Sequence, residues 1–170
     1  AAYASFSPDG NRLAYNRLSR EDRTWKRYKG GMAQDIWIYD FGKNDTRKVT
    51  DWIGTDNFPM WHGDFIYFTS DRADGTMNLF KYAVEGGEIT QLTTYKDYDV
   101  KYPSLGNKHI VYQYEETLYL FDLETEQSAA ERPRDPFGEK PQQRLGEFLE
   151  ANATEPAQTL PPEEVSDALL

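Results

Sequence analysis

The chain offers few residues for chemistry. It holds two histidines, His62 and His109, and no cysteine in 170 residues. That excludes disulfides, thiolate nucleophiles and cysteine-based metal sites, and two separated histidines do not make a metal triad. Both are expected to be satisfied structural histidines, with no metal and no cofactor. Asp71-Arg72-Ala73-Asp74-Gly75-Thr76 places two carboxylates in one short segment. The ligand spacing of a calcium loop is not met, so turn chemistry is expected there. Ser104 is the one serine in a tight apolar context, between Pro103 and Leu105. It has no glycine-framed nucleophile turn and no base beside it, and a loop is expected at this position, so no catalytic residue is assigned.

The most reactive-looking cluster is cationic. Between Arg17 and Lys29 there are six cations against two carboxylates, in a chain whose 29 Asp plus Glu outweigh 19 Lys plus Arg for a net charge of -10. Arg20, Arg23, Trp25, Lys26, Arg27 and Tyr28 interleave charged groups with aromatic faces. Such a surface takes a peptide carboxylate, an acidic neighbour or another subunit. The plainer reading is a long solvated hairpin whose arginines pair with nearby acids. The net negative charge argues against nucleic acid as a partner. No run of 18 apolar residues exists, so no membrane span is expected, and no charged-then-apolar leader is visible. The start at Ala1-Ala2-Tyr3 reads as a fragment.

The elements that must position these groups are strands. Aromatic residues make up 15% of the chain, which calls for a folded core. Three segments match: Asp35-Ile36-Trp37-Ile38-Tyr39-Asp40, Asn78-Leu79-Phe80-Lys81-Tyr82 and Thr117-Leu118-Tyr119-Leu120-Phe121-Asp122. Each follows another apolar strand, around Leu13, Ile66 and Ile110, and the first two lead through a turn into a short strand ending near Thr50 and Thr93. Aligned on Ile36, Leu79 and Leu118, the units repeat at steps of 43 and 39 residues. That period, with β-branched and aromatic strands, predicts β-propeller blades. A β-sandwich is the rival, but its strands have no reason to recur as matched groups. Trp37, Phe80 and Tyr119 are expected between blades. Ser7-Pro8-Asp9-Gly10 is expected to be a tight turn.

The expected fold is therefore all-β: about three four-stranded blades of an incomplete propeller ring, near residues 1–50, 51–94 and 95–127. Residues 128–170 hold six of the nine prolines and only two of the 25 aromatics. They read as a Pro-rich, mostly irregular tail, with one or two short helices near Arg144–Ala151 and after Pro162. Asn152-Ala153-Thr154 matches the glycosylation acceptor pattern, a match common by chance.

Phe6-Ser7-Pro8-Asp9-Gly10-Asn11-Arg12-Leu13-Ala14-Tyr15 resembles the PD40 blade motif of TolB-like and tricorn-like propellers. The run Arg23 to Asp40, with Pro59-Met60-Trp61-His62-Gly63-Asp64, Ile66 to Arg72, Asp97 to Gly106 and Leu118 to Thr125, is more specific. It resembles the N-terminal propeller of the tricorn protease family over residues 1 to about 127. The resemblance implies part of a six-bladed propeller in a cytoplasmic, self-assembling serine peptidase that degrades oligopeptides, and leaves a periplasmic location open. In that family the propeller gates and routes peptides, and the catalytic core lies elsewhere. The partners implied are an oligopeptide substrate, through the parent enzyme, and further copies or domains of that enzyme. The alternative is a TolB-like or WD-type interaction scaffold with no peptidase role. A sialidase-like or metal-dependent propeller enzyme is disfavoured, since no three-arginine constellation recurs across the blades. Three blades cannot close a ring of six, so the isolated chain is expected to be marginally stable or to self-associate through its bare sheet faces.

Overall fold

The computed structural model describes residues 1–19 and 28–131. The chain divides into two compact units, Ala1–Arg132 and Pro133–Leu170. The second lies outside the described residues, and with it the expected tail helices and the Asn152 motif.

Among the described residues, twelve strands run in three consecutive antiparallel meanders. Blade 1 is β1 (Ala2–Phe6), β2 (Arg12–Asn16), β3 (Ile36–Asp40) and β4 (Asp45–Lys48). Blade 2 is β5 (Asp56–His62), β6 (Phe65–Ser70), β7 (Asn78–Ala83) and β8 (Ile89–Gln91). Blade 3 is β9 (Lys101–Leu105), β10 (His109–Tyr114), β11 (Thr117–Asp122) and β12 (Gln127–Glu131). In each sheet the strands lie in sequence order. The first strands converge, with β5 touching both β1 and β9, so β1, β5 and β9 form the inner edge of the array.

These inner strands differ from the sequence expectation. Trp61 and His62 end β5, just ahead of β6, and Ser104 sits in β9, opposite Val111, rather than in a loop. β12 carries the third sheet four residues past 127, onto residues expected to begin the tail.

The middle strands superimpose rung by rung. Blade 2 pairs Thr69 with Leu79, Phe68 with Phe80, Tyr67 with Lys81 and Ile66 with Tyr82. The same rungs are Asn16–Ile36, Tyr15–Trp37, Ala14–Ile38 and Leu13–Tyr39 in blade 1. In blade 3 they are Gln113–Leu118, Tyr112–Tyr119, Val111–Leu120 and Ile110–Phe121. Because successive side chains alternate across a sheet, each rung gives one face to the blade before and the next gives the other face to the blade after. Ala14, Ile36 and Ile38 of blade 1 meet Ile66, Phe68, Phe80 and Tyr82 of blade 2 in one core. Tyr67 and Leu79 on the other face of blade 2 meet Ile110, Tyr112 and Phe121 of blade 3 in a second.

Short polar devices hold each unit. In the first turn Gly10, at φ 70°, donates its N–H to Ser7 O at 2.8 Å, and Asp9 accepts from Asn11 N at 3.1 Å. The Ser7 hydroxyl and then Asn11 N–H hold the Asp9 carboxyl below its ordinary value. Thr50, just after β4, accepts the Ile36 N–H at 3.0 Å. Thr93, just after β8, accepts the Leu79 N–H at 2.9 Å and donates to Asn78 Oδ1 at 2.9 Å. The same threonine latch thus closes two blades.

Candidate functional site

Two features face the inner edge and one end of the array. The first is a repeated aromatic bulge. Tyr3 in β1, Phe58 in β5 and Tyr102 in β9 all adopt positive φ, at 49°, 53° and 50°. The ladder slips at this point in each inner pairing. A bulky side chain in the left-handed region is an outlier. Phe58 and Tyr102 each precede a proline, which further disfavours helical-type backbone. Such strain costs on the order of 1–3 kcal/mol per residue and gathers at functional positions. Tyr3 and Phe58 touch, with ring centroids 4.4 Å apart, while Tyr102 is 66% exposed. The result is one aromatic ring at the bulge of each inner strand.

The second feature is the long β2–β3 connection of blade 1. Arg20, Arg23, Trp25, Lys26 and Arg27 lie outside the described residues, and Tyr28, half-buried, is the one expected contact residue within them. The bases of the connection are firmly placed. Gln34 is buried, its Nε2 donating to Leu18 O at 3.1 Å while its backbone carbonyl accepts from Asp56 N at 2.8 Å. Asn16 Nδ2 donates to Asp35 O at 2.8 Å and to Asp56 O at 2.9 Å. Gly30 N donates to Ile53 O at 3.0 Å. Arg17 lies 4.9 Å from the Trp37 ring centre and Lys29 5.8 Å from that of Trp52. A cleft of about 360 Å³ lies against Arg17, Leu18, Gln34 and Trp37.

Blade 3 carries the opposite charge at the same end. Its β10–β11 turn is Glu115-Glu116, and with Asp97, Asp99 and Lys101 it borders a second cleft of about 560 Å³. The equivalent turn in blade 2 is tied down. Asp71 Oδ1 accepts from Trp52 Nε1 at 2.7 Å and from Thr55 N at 2.8 Å, and Asp74 Oδ1 accepts from Thr76 N at 3.1 Å. A Cβ at Gly54 would collide with Asp71 Oδ1 and Trp52 Nε1, so glycine is required for that hydrogen bond to pass. These carboxylates therefore do turn and loop chemistry.

Buried charge is local. Asp56 Oδ2 lies 2.7 Å from Arg72 Nη2, and burial outweighs the guanidinium, pushing the Asp56 carboxyl above its ordinary value. Arg72 also covers the Phe68 and Phe80 rings. His109 Nε2 sits 3.3 Å from Asp122 Oδ2, a structural pairing. Lys81 and Glu126 join blades 2 and 3. Ser104 is exposed. Burial pushes the Tyr112 hydroxyl above its ordinary range, with its oxygen 2.8 Å from both Tyr95 Oη and Ser128 Oγ. Phe80 is buried between blades, Tyr119 stacks on Tyr112 at 5.7 Å, and Trp37 is half-buried beneath Arg17.

Consecutive four-stranded meanders, packed face to face with their first strands converging, define a segment of a β-propeller. The likeness to solved propellers agrees. TolB from Acinetobacter baumannii superimposes with a TM-score of 0.60 at 21% identity, covering 78% of this chain and 32% of that one. At that identity the likeness shows the fold alone.

The description "Tricorn protease N-terminal beta propeller domain" matches residues 1–127, and the chain belongs to this family. It is 33% identical over 100 residues to the "Tricorn protease homolog" of Saccharolobus solfataricus, covering 59% of this chain and 9% of that protein. Against the "Tricorn protease" of Thermoplasma acidophilum it is 27% identical over 118 residues, covering 69% and 11%. A crystal structure of tricorn protease superimposes with a TM-score of 0.62 at 25% identity, covering 72% of this chain and 12% of that one. The chain thus spans about a tenth of the length of the relatives it matches.

Proposed function

We propose that this chain is the non-catalytic propeller portion of a tricorn-like serine peptidase, acting in the cytoplasm. Its inner edge guides oligopeptides and its cationic connection contacts a peptide carboxylate or a neighbouring subunit. The observation that carries the reading, beyond family membership, is the aromatic residue placed at the same strained bulge of all three inner strands, Tyr3, Phe58 and Tyr102. Three rings along the inner edge offer apolar faces to side chains of any sequence without fixing one peptide. Arg20, Arg23, Lys26 and Arg27 supply the guanidinium and ammonium groups that a chain-terminal carboxylate takes.

The test compares hydrolysis of a mixed oligopeptide pool by the purified 170-residue chain and by the full-length product of its gene, with a serine-directed inhibitor. Cleavage by the longer product alone is expected. Inhibitor-sensitive cleavage by the short chain would overturn the non-catalytic role, with Ser104 the first residue to replace. Silence in both would assign the chain to an interaction scaffold.

A further inference from the structure

We infer that Asp56, Arg72 and Asp71 of blade 2 are positioning residues for the cationic β2–β3 connection of blade 1, and that they fix its exit, Lys29 to Gln34, against blade 2. The inference rests on the reading of that connection as a contact for a peptide carboxylate, and it assigns the residues that aim it. All of these groups lie at the joint between blades 1 and 2, which this chain walls on both sides. Asp56 opens β5 and is fully buried. Its N–H donates to Gln34 O at 2.8 Å and its carbonyl accepts from Asn16 Nδ2 at 2.9 Å, one bond at each base of the connection. Its carboxylate meets Arg72 Nη2 at 2.7 Å, and Arg72 donates from its backbone N and Nε to Ser70 Oγ at 3.2 and 3.0 Å. The β6–β7 turn is thereby fastened to the start of β5, and Asp71 is carried with it. Asp71 Oδ1 accepts from Trp52 Nε1 and Thr55 N. Lys29 lies over the Trp52 ring, and Ile53 O accepts the Gly30 N–H. A continuous path of contacts therefore runs from the buried pair to the exit of the connection.

The repeat shows that the fold does not require this charge. Counted from the bulges at Phe58 and Tyr102, Val100 holds the position of Asp56. Val100 is buried, and its N–H donates to Met77 O at 2.9 Å just as the Asp56 N–H donates to Gln34 O. The backbone joint is thus made equally well with an apolar side chain. What differs is the connection that each position faces, the short 71–77 turn at Val100 and the long 17–35 connection at Asp56. The corresponding turn of blade 3, Glu115-Glu116, is exposed and holds no arginine. A buried ion pair carries a desolvation cost, and its apolar replacement is often neutral or stabilising. At Asp56 burial does outweigh the guanidinium. A charge that the repeat dispenses with elsewhere, set at the joint that bears the basic connection, is accounted for by positioning.

The experiment uses the full-length product of the gene and a defined oligopeptide with a free carboxyl terminus, and reads hydrogen exchange beside kcat and KM. Asp56→Val combined with Arg72→Met removes the pair and keeps apolar volume in the joint. Exchange over residues 28–34 should quicken by about tenfold while the β6–β7 ladder exchanges as in the parent. KM should rise by about tenfold with kcat within about twofold, the signature of lost binding rather than lost chemistry. Asp71→Ala should do the same, and Asp71→Asn, which keeps the acceptor oxygen, should restore both readouts. Trp52→Phe keeps a ring beneath Lys29 but removes the Nε1 donor, and should give a smaller rise in KM. Parental exchange over 28–34 in Asp71→Ala, or faster exchange with a parental KM, would overturn the inference. So would acceleration that spreads through the β6–β7 ladder in every variant, the mark of a purely structural pair. A parent that cleaves no peptide would overturn the peptidase reading instead, and exchange over 28–34 alone would then judge the positioning.

Discussion

Blade 2 and the two blades beside it are built from the same rungs but live in different surroundings. Blade 2 is covered on both faces, so Phe68 and Leu79, on opposite sides of one sheet, are each fully buried. Blades 1 and 3 repeat that pattern with one face covered among the described residues, and there Tyr15, Trp37 and Leu118 keep part of their surface. Position within the repeat decides residue type, and the neighbour decides how much that type contributes. A blade therefore carries apolar rungs of interior type on both of its faces.

That comparison can be broken at its strongest point first. Phe68→Ala empties the joint between blades 1 and 2 and should lower stability by about 3–5 kcal/mol, read from urea unfolding. Leu79→Ala should cost about 2–5 kcal/mol by the same mechanism. Its repeat equivalent, Leu118→Ala, should stay within about 0.5 kcal/mol at concentrations where the chain is monomeric. Equal losses at the two leucines would show that the third outer face is covered. Thr93→Val removes the acceptor of the Leu79 N–H. It should cost about 1–3 kcal/mol and speed hydrogen exchange at that amide.

The smallest effect sharpens the contrast between buried and exposed acids. Burial raises the Asp56 carboxyl above its ordinary 3.8. Its contribution to stability is present below the unfolded value and is lost as pH rises through the folded one. Asp122 is held below 3.8, first by the Thr125 N–H, with Glu124 N–H and Thr125 Oγ1 adding to it. Its contribution is present above the unfolded value and is lost as pH falls through the folded one. Urea midpoints measured against pH should therefore change slope in opposite directions in Asp56→Asn and Asp122→Asn.

Much of the fold was legible because the second and third strands of each blade alternate cleanly and recur with a readable period. The inner strands were not, for a physical reason. The bulges at Tyr3, Phe58 and Tyr102 interrupt the alternation, and Pro59 and Pro103 argue against strand in a local reading. The recurring aromatic, then Ala or Pro, then two residues ending in Phe6, Trp61 or Leu105, was the available signal. It also marked the aromatic bulges, which a search for ionisable or nucleophilic groups passes over. Of the cationic stretch, the structure places Arg17, Tyr28 and Lys29, with Gln34 and Asn16 as anchoring residues. Those anchors were hidden in sequence because their partners, such as Asp56, lie in the next blade.

The threonine latches have a consequence for how such a chain is made. Thr50 and Thr93 each close their blade across a separation of 14 residues, and every sheet is assembled from consecutive strands. Contacts this local carry little loop-closure entropy and form quickly. A polypeptide leaving the ribosome can finish hydrogen-bonding one blade before the next has been synthesised, so each completed sheet serves as the template on which its successor condenses.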